Sequence, residues 1–217
     1  MARVLVTRPE PGASTTAAAL RAAGHEPVLR PLMETVDMPW TMPAGTFDAV
    51  MLTSAAAARH AGPQADIVRH LPTFCVGDAT AQAARAAGFP QAESVGGTVA
   101  DVMRRAAHLR RILHLAGEDR TPMTVPEGLQ VAVRVVYRAR LMALEDPGPV
   151  DAVMVYSLRS GKHFPEEWKR AGRGKNLVVI AISPAAAAGA GALWRKVVVA
   201  DAPNEASMLA ALADAGL

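Results

Sequence analysis

Serine, threonine and glycine cluster at places in this chain where apolar runs end, and residues of these types bind anions. Serine and threonine cap helix N-termini, and glycine lets a ligand approach backbone N–H groups. Thr7-Arg8-Pro9 follows one apolar run. Thr53-Ser54, Gly77-Asp78-Ala79-Thr80, Gly117-Glu118-Asp119 and Ser157-Leu158-Arg159-Ser160-Gly161 follow others. In an open α/β sheet, ligands sit at the carboxyl ends of strands, where helix N-termini point at them. Each position taken singly is explained by helix capping. The set suggests a binder of several carboxylates or phosphates.

More specific chemistry is not written in the chain. Ser160-Gly161-Lys162 lacks the upstream glycine of a phosphate-binding loop, and no G-x-G-x-x-G follows a strand. No G-x-S-x-G elbow occurs. The histidines at 25, 60, 70, 108, 114 and 163 lack metal-ligand spacing, so no metal is expected. Cys75 has apolar neighbours and reads as an inert buried thiol.

The elements that must position these residues come from a duplication. Phe47-Asp48-Ala49-Val50-Met51-Leu52-Thr53-Ser54 returns as Val150-Asp151-Ala152-Val153-Met154-Val155-Tyr156-Ser157, offset by 151 − 48 = 103 residues. The runs starting at Arg3, Gly24, Phe74 and Gly97 recur at Arg111, Gly128, Ile180 and Asn204, in order and at similar offsets. Such self-similarity is read before anything else, because it fixes the architecture. Apolar runs predict strands at 4–6, 27–29, 49–52, 73–76, 92–95, 112–115, 131–136, 152–155, 178–182 and 197–200. Ala-rich segments at 14–23, 80–87, 98–107, 185–193 and 205–215 read as helices, the first two followed by Gly24 and Gly88 as C-cap signals. Strands alternating with helices argue for α/β with parallel sheets. Ten strands divide into two five-stranded, flavodoxin-like lobes.

The 217 residues suffice for one large domain or two smaller ones, and 51% hydrophobic with 20% charged content is ordinary for a core-forming chain. No apolar run approaches the roughly 20 residues of a membrane span, and the start has no signal-peptide pattern. A cytoplasmic protein is expected, with no membrane partner. The net charge of +3 is mildly basic, with Arg104-Arg105 and Arg110-Arg111 the densest pairs. With only 4% aromatic residues there are few stacking platforms, and no nucleic-acid partner is expected.

The strand-end residues, taken together, resemble the uroporphyrinogen-III synthase family. The resemblance runs through Thr7-Arg8-Pro9, Gly24-His25-Glu26, Pro31, Phe47-Asp48 leading to Thr53-Ser54, and Val76-Gly77-Asp78-Ala79-Thr80-Ala81. It continues through Leu115-Ala116-Gly117, Val136-Tyr137, and Asp151 to Ser157 with Ser160-Gly161. It implies lobes that the chain enters twice. Residues 1–34 plus 143–217 would form one lobe and 39–138 the other, with 32–38 and 136–141 as two connector strands. The implied reaction converts hydroxymethylbilane, a polycarboxylate linear tetrapyrrole, to uroporphyrinogen III with inversion of the terminal ring. It needs no cofactor. The enzyme would be a lyase of haem and related tetrapyrrole biosynthesis, a monomer, with the upstream hydroxymethylbilane synthase as a candidate partner.

By this resemblance Tyr137 is the candidate catalytic acid, since a phenol is protonated at neutral pH. A tyrosine packing in a connector strand is the plainer alternative. Thr7, Arg8, Thr53, Ser54, Gly77, Thr80, Ser157, Ser160 and Gly161 would hold the carboxylate arms. The chain departs from the family pattern at Ile182-Ser183-Pro184-Ala185-Ala186-Ala187, where the glycine and threonine of a second I-G-x-x-T-A are lost, and at Leu158, where proline is common. Those departures bear on the contacts of the C-terminal lobe. The competing reading is a non-catalytic two-lobe binder or sensor of an anionic metabolite, and a third is a degenerate synthase paralogue.

Overall fold

A computed structural model describes residues 1–120 and 122–217. The chain divides into two compact units, Met1–Glu34 with Arg140–Leu217, and Thr35–Ala139.

In the first unit β1 (Arg3–Val6), β2 (Glu26–Leu29), β9 (Ala152–Val155), β10 (Val178–Ala181) and β11 (Lys196–Val199) form one sheet in the order β11-β10-β9-β1-β2. Every pairing is parallel. Alternate strand residues face opposite ways, so each strand feeds two cores. Val4, Val6, Met154 and Ile180 pack with Leu20 of α1 (Gly12–Ala22) and Met208 and Leu212 of α7 (Glu205–Asp214). Leu5, Val153, Val155 and Val179 pack with Phe164 and Trp168 of α5 (Leu158–Arg170) and Ala186 of α6 (Pro184–Ala190). With both faces covered, the strands read as continuous apolar runs.

The second unit repeats the plan. Its strands are β3 (Met33–Asp37), β4 (Ala49–Leu52), β5 (Thr73–Cys75), β6 (Ala92–Ser94), β7 (Arg111–Gly117) and β8 (Gln130–Leu141), in the order β3-β8-β7-β4-β5-β6. The pairings from β8 through β6 are parallel. α2 (Ala55–Arg59) and α3 (Asp78–Ala86) cover one face around Leu52, Cys75 and Leu113. α4 (Val99–Ala106) covers the other around Met51, Phe74 and Ile112. Cys75 is fully buried, and burial pushes its thiol up to about 11.

The sheet orders make the duplication explicit. Read as β2-β1-β9-β10-β11 and β8-β7-β4-β5-β6, the two sheets correspond strand for strand. The repeated aspartate serves the same bond twice. Asp48 accepts the N–H groups of Arg110 and of Arg111, the latter of which opens β7. Asp151 accepts the N–H of Arg3, which opens β1. The aspartate that the repeat preserves is therefore committed to backbone N–H groups at strand starts in both units. Backbone bonding holds the Asp48 carboxyl below the usual carboxylate range, with Arg111 the largest contributor.

Three differences from expectation have local causes. The second sheet has six strands rather than five, because β8, at 12 residues, outruns the 7-residue β7. β3 adds to the free edge of β8 and runs antiparallel to it: Met38 N–H meets the Val136 carbonyl while Glu34 meets Arg140. The residue pattern does not predict α5, since Pro165 lies inside it. Its stripe of Ser160, Gly161, Phe164 and Trp168 buries at intervals of 1, 3 and 4, which is helical spacing. Finally, among the described residues no helix lies between β7 and β8, where α1 lies between β1 and β2.

Candidate active site

Tyr137 is placed by a break in its own strand. β8 follows β7 residue for residue until Ala116 pairs with Val135, and then Gly117 pairs with Tyr137. Val136 is the extra residue of this bulge, which re-aims the next side chain, and both Val136 and Tyr137 then pack on the core under α2 and α3. Gly117 makes room for the ring: a Cβ there would lie 2.7 Å from Tyr137 Cζ. The Tyr137 hydroxyl is 2.9 Å from Ser54 Oγ. Ser54 is the N-cap of α2, and its Oγ accepts the Ala57 N–H at 3.2 Å. That leaves the serine one proton to give and one lone pair to share with the phenol. His60 stacks on Tyr137, with ring centroids 5.6 Å apart at 23°. His60 is itself fixed by Asp37 at 2.6 Å and Thr35 at 2.8 Å.

A cavity of about 200 Å³ opens beside this group, lined by Thr53, Ser54, His114, Gly117, Arg120 and Tyr137 among others. Its polar wall includes His114, a position that is apolar in the other repeat. At the carboxyl end of β1 the position equivalent to His114 is Val6, which packs in the core with Leu20 of α1. In the second unit that position is His114, 2% exposed, with Nε2 3.3 Å from Thr53 Oγ1 and Nδ1 without a hydrogen-bond partner among the described residues. Burial, with the positive charge of Arg120 as a smaller cause, pushes this imidazole down to about 4. It is neutral at physiological pH and presents one donor and one acceptor. Among the described residues, no three His, Cys, Asp or Glu side chains gather where they could share a metal ion.

Comparison with known proteins identifies the family of the chain. The model of the family described as uroporphyrinogen-III synthase HemD matches residues 14–210. The chain belongs to the uroporphyrinogen-III synthase family. Among solved structures, the uroporphyrinogen-III synthetase of Helicobacter pylori 26695 is similar at 14% identity and TM-score 0.65, with 100% of each chain covered. A mutant uroporphyrinogen III synthase of Thermus thermophilus is similar at 17% identity and TM-score 0.51, covering 99% of this chain and 98% of that one. At these identities the structures establish a shared fold. No curated protein matches the chain.

Of the residues that the sequence singles out in this synthase-family chain, Tyr137, Thr53 and Ser54 come together. Gly77 caps α3 with φ +79 and open space at its Cβ position, a conformation that favours glycine. Thr80 is buried in the first turn of that helix. In the other unit the expected ligand contacts are largely committed to the fold. Thr7 is fully buried and donates to the Met154 carbonyl at 2.6 Å. Ser157 and Ser160 form a reciprocal capping box at the start of α5. Gly161 is where α5 meets α6, since a Cβ there would lie 2.4 Å from the Ala186 carbonyl oxygen. Arg8 sits 4.6 Å over the Tyr156 ring and pairs with Glu205 at 3.2 Å. Burial pushes the Tyr156 hydroxyl up to about 12, and it lies 3.2 Å from Thr16 Oγ1.

Sequence reasoning misses His114 and His60 as neighbours of Tyr137 and Ser54, the reason Gly117 must be glycine, and, in the other unit, Tyr156 as the neighbour of Arg8. His114 lies inside an apolar run, where a lone histidine reads as core. Its signal is the comparison of the two repeats, in which Val6 becomes His114. Gly117 is visible as a strand-end glycine, but its Cβ conflict with Tyr137 is a tertiary fact.

Proposed function

We propose that this chain cyclises hydroxymethylbilane to uroporphyrinogen III, as a lyase that releases water and needs no cofactor. The observation that carries the reading is the family match across residues 14–210. In this reading the Tyr137 hydroxyl donates its proton toward the terminal hydroxyl of the substrate, which departs as water. The electrophilic azafulvenium cation left behind, which keeps its pyrrole N–H, is then attacked by a ring carbon, and the proton lost at ring closure balances the one supplied. Ser54, bonded to the phenol, relays that proton or orients the group.

Uncatalysed closure proceeds without ring inversion, so the protein's main task is confinement of the chain in a geometry that forbids direct closure. The cavity beside Tyr137, at about 200 Å³, matches one substituted pyrrole rather than four, and supports a role in holding a single ring while another reacts. Its hydroxyls and Arg120 suit a carboxylate arm. Arg8, already paired with Glu205, would contribute charge only by exchanging that partner for a substrate carboxylate.

The test is a coupled assay. Hydroxymethylbilane is generated by its upstream synthase, this protein is added, and the oxidised porphyrins are separated by isomer. The expected result is predominant isomer III, with the rate falling at least tenfold in Tyr137→Phe. Undiminished isomer III in Tyr137→Phe would remove Tyr137 as the acid. Isomer I alone, as without protein, would overturn the synthase reading.

A further inference from the structure

We propose that the first unit carries a second binding site, for a small amphiphilic anion with a flat apolar body and one acidic group, at the amino ends of its strands. The inference is independent of the reaction above. A cavity of about 330 Å³ lies there, lined by Pro165, Trp168, Ala190, Leu193 and Trp194 with Lys169, Arg173, Lys175 and Glu166. Its place follows from topology. The last turn of α5 and the residues after α6 lead to the starts of β10 and β11. The site is therefore at the far end of the sheet from the strand-end residues considered above.

Its floor and rim are chemically distinct. The chain has three tryptophans, and two of them line this one cavity. Their indole N–H groups are already used: Trp168 donates to the Gly174 carbonyl at 2.8 Å and Trp194 to the Ala190 carbonyl at 2.9 Å. What they offer a ligand is ring face. Leu193 beside them is 73% exposed, the most exposed large apolar side chain after Met1 among the described residues. Around this floor Lys169 and Lys175 are exposed and have no ion-pair partner among the described residues, while Arg173 pairs with Asp146. Glu166 is the lining carboxylate, so cations outnumber anions three to one. An apolar floor with a cationic rim selects a ligand that is both flat and acidic, and the volume falls in the range of small-molecule sites. A neutral aromatic would leave the lysines unused, and a highly charged anion would leave the indoles unused.

The probe is 8-anilinonaphthalene-1-sulfonate, titrated into the full-length protein and read by its own fluorescence and by quenching of tryptophan emission. N-phenyl-1-naphthylamine, which has the same rings without the sulfonate, is the neutral control. The expected result is saturable binding of the sulfonate, weakened at least tenfold by Leu193→Asp. The Lys169→Glu, Lys175→Glu double variant should weaken the sulfonate equally and leave the neutral dye unchanged. Thermal unfolding of each variant checks the fold, and these exposed positions should leave it intact. Sulfonate binding that survives both variants, or non-saturable binding, overturns the site. Equal loss of both dyes in the lysine variant overturns its anion selectivity.

Discussion

Gly117 and Tyr137 depend on each other in a way that a substitution can isolate. The phenol lies where a Cβ on residue 117 would be, 2.8 Å from the hydroxyl oxygen and 2.7 Å from Cζ. Gly117→Ala must therefore push the ring away, breaking the 2.9 Å contact with Ser54 while leaving the hydroxyl chemically intact. Isomer III formation should fall at least as far as in Tyr137→Phe, with a modest loss of stability from overpacking. Near-normal turnover in Gly117→Ala would mean that the Tyr137–Ser54 geometry is not needed. His114 makes a second prediction, read by pH. Its folded value of about 4 lies below the ordinary 6.5. Above 6.5 both folded and unfolded chains hold a neutral imidazole and nothing changes. As pH falls from 6.5 toward 4 the unfolded chain takes up the proton first, so stability is lost across that window, by about 3 kcal/mol in total. His114→Val, which copies the Val6 of the other repeat, should flatten that part of the stability–pH curve in urea unfolding. An unchanged slope would show that His114 titrates normally.

At the scale of elements, two glycines set how closely the helices α5 and α6 approach each other. A Cβ at Gly161 would approach the Ala186 carbonyl oxygen to 2.4 Å, and one at Gly189 the Leu158 carbonyl oxygen to 2.7 Å. Both obstacles are backbone, so no rotamer change relieves them and the helices must separate. Alanine's better helix propensity recovers about 1 kcal/mol, less than the strain, and Gly161→Ala should destabilise by about 2 kcal/mol in denaturant unfolding. Gly97→Ala, with nothing within 4 Å of the new atom, should stay within about 0.5 kcal/mol of the parent. The same pair marks the limit of what the chain discloses on reading. Strands such as β4 and β9 are legible because burial on both faces writes a continuous apolar run. Gly161 resembles a ligand-approach glycine because the approaching group, a neighbouring helix backbone, is distant in sequence. The hydroxyls of Ser157 and Ser160 are legible as caps and as anion contacts alike. Thr7 stands out for its strand-end position, but whether its hydroxyl turns inward to Met154 is decided by sheet packing. Tyr137 and Ser54 are each visible, yet their meeting depends on a bulge that leaves no mark in the residue pattern.

For the molecule as a whole, the duplication explains which parts could stand alone. The two sheets share one strand order, but the chain assembles them differently. The first unit needs β1 and β2 from one end of the sequence and β9 to β11 from the other, whereas the second is continuous. It has two cores of its own, one centred on Leu52, Phe89 and Leu113 and one on Met51, Phe74 and Ile112. About 100 residues is enough for a stable domain. A fragment of residues 33–141 keeps β3 paired with β8 and should fold on its own with a cooperative thermal transition. Trp40 reports on it directly, as the fragment's single tryptophan, buried and donating to the Ala61 carbonyl at 3.0 Å. Its emission should be blue-shifted in the fragment and move to that of exposed indole at the same temperature as the loss of helical circular dichroism. The complementary 1–34 segment, which supplies β1, α1 and β2 without their neighbours β9 and β10, should remain unfolded when made alone. A fragment 33–141 with an exposed Trp40 and no transition would mean that the second unit draws its stability from the rest of the chain, and that the repeat is one of topology but not of independent folding.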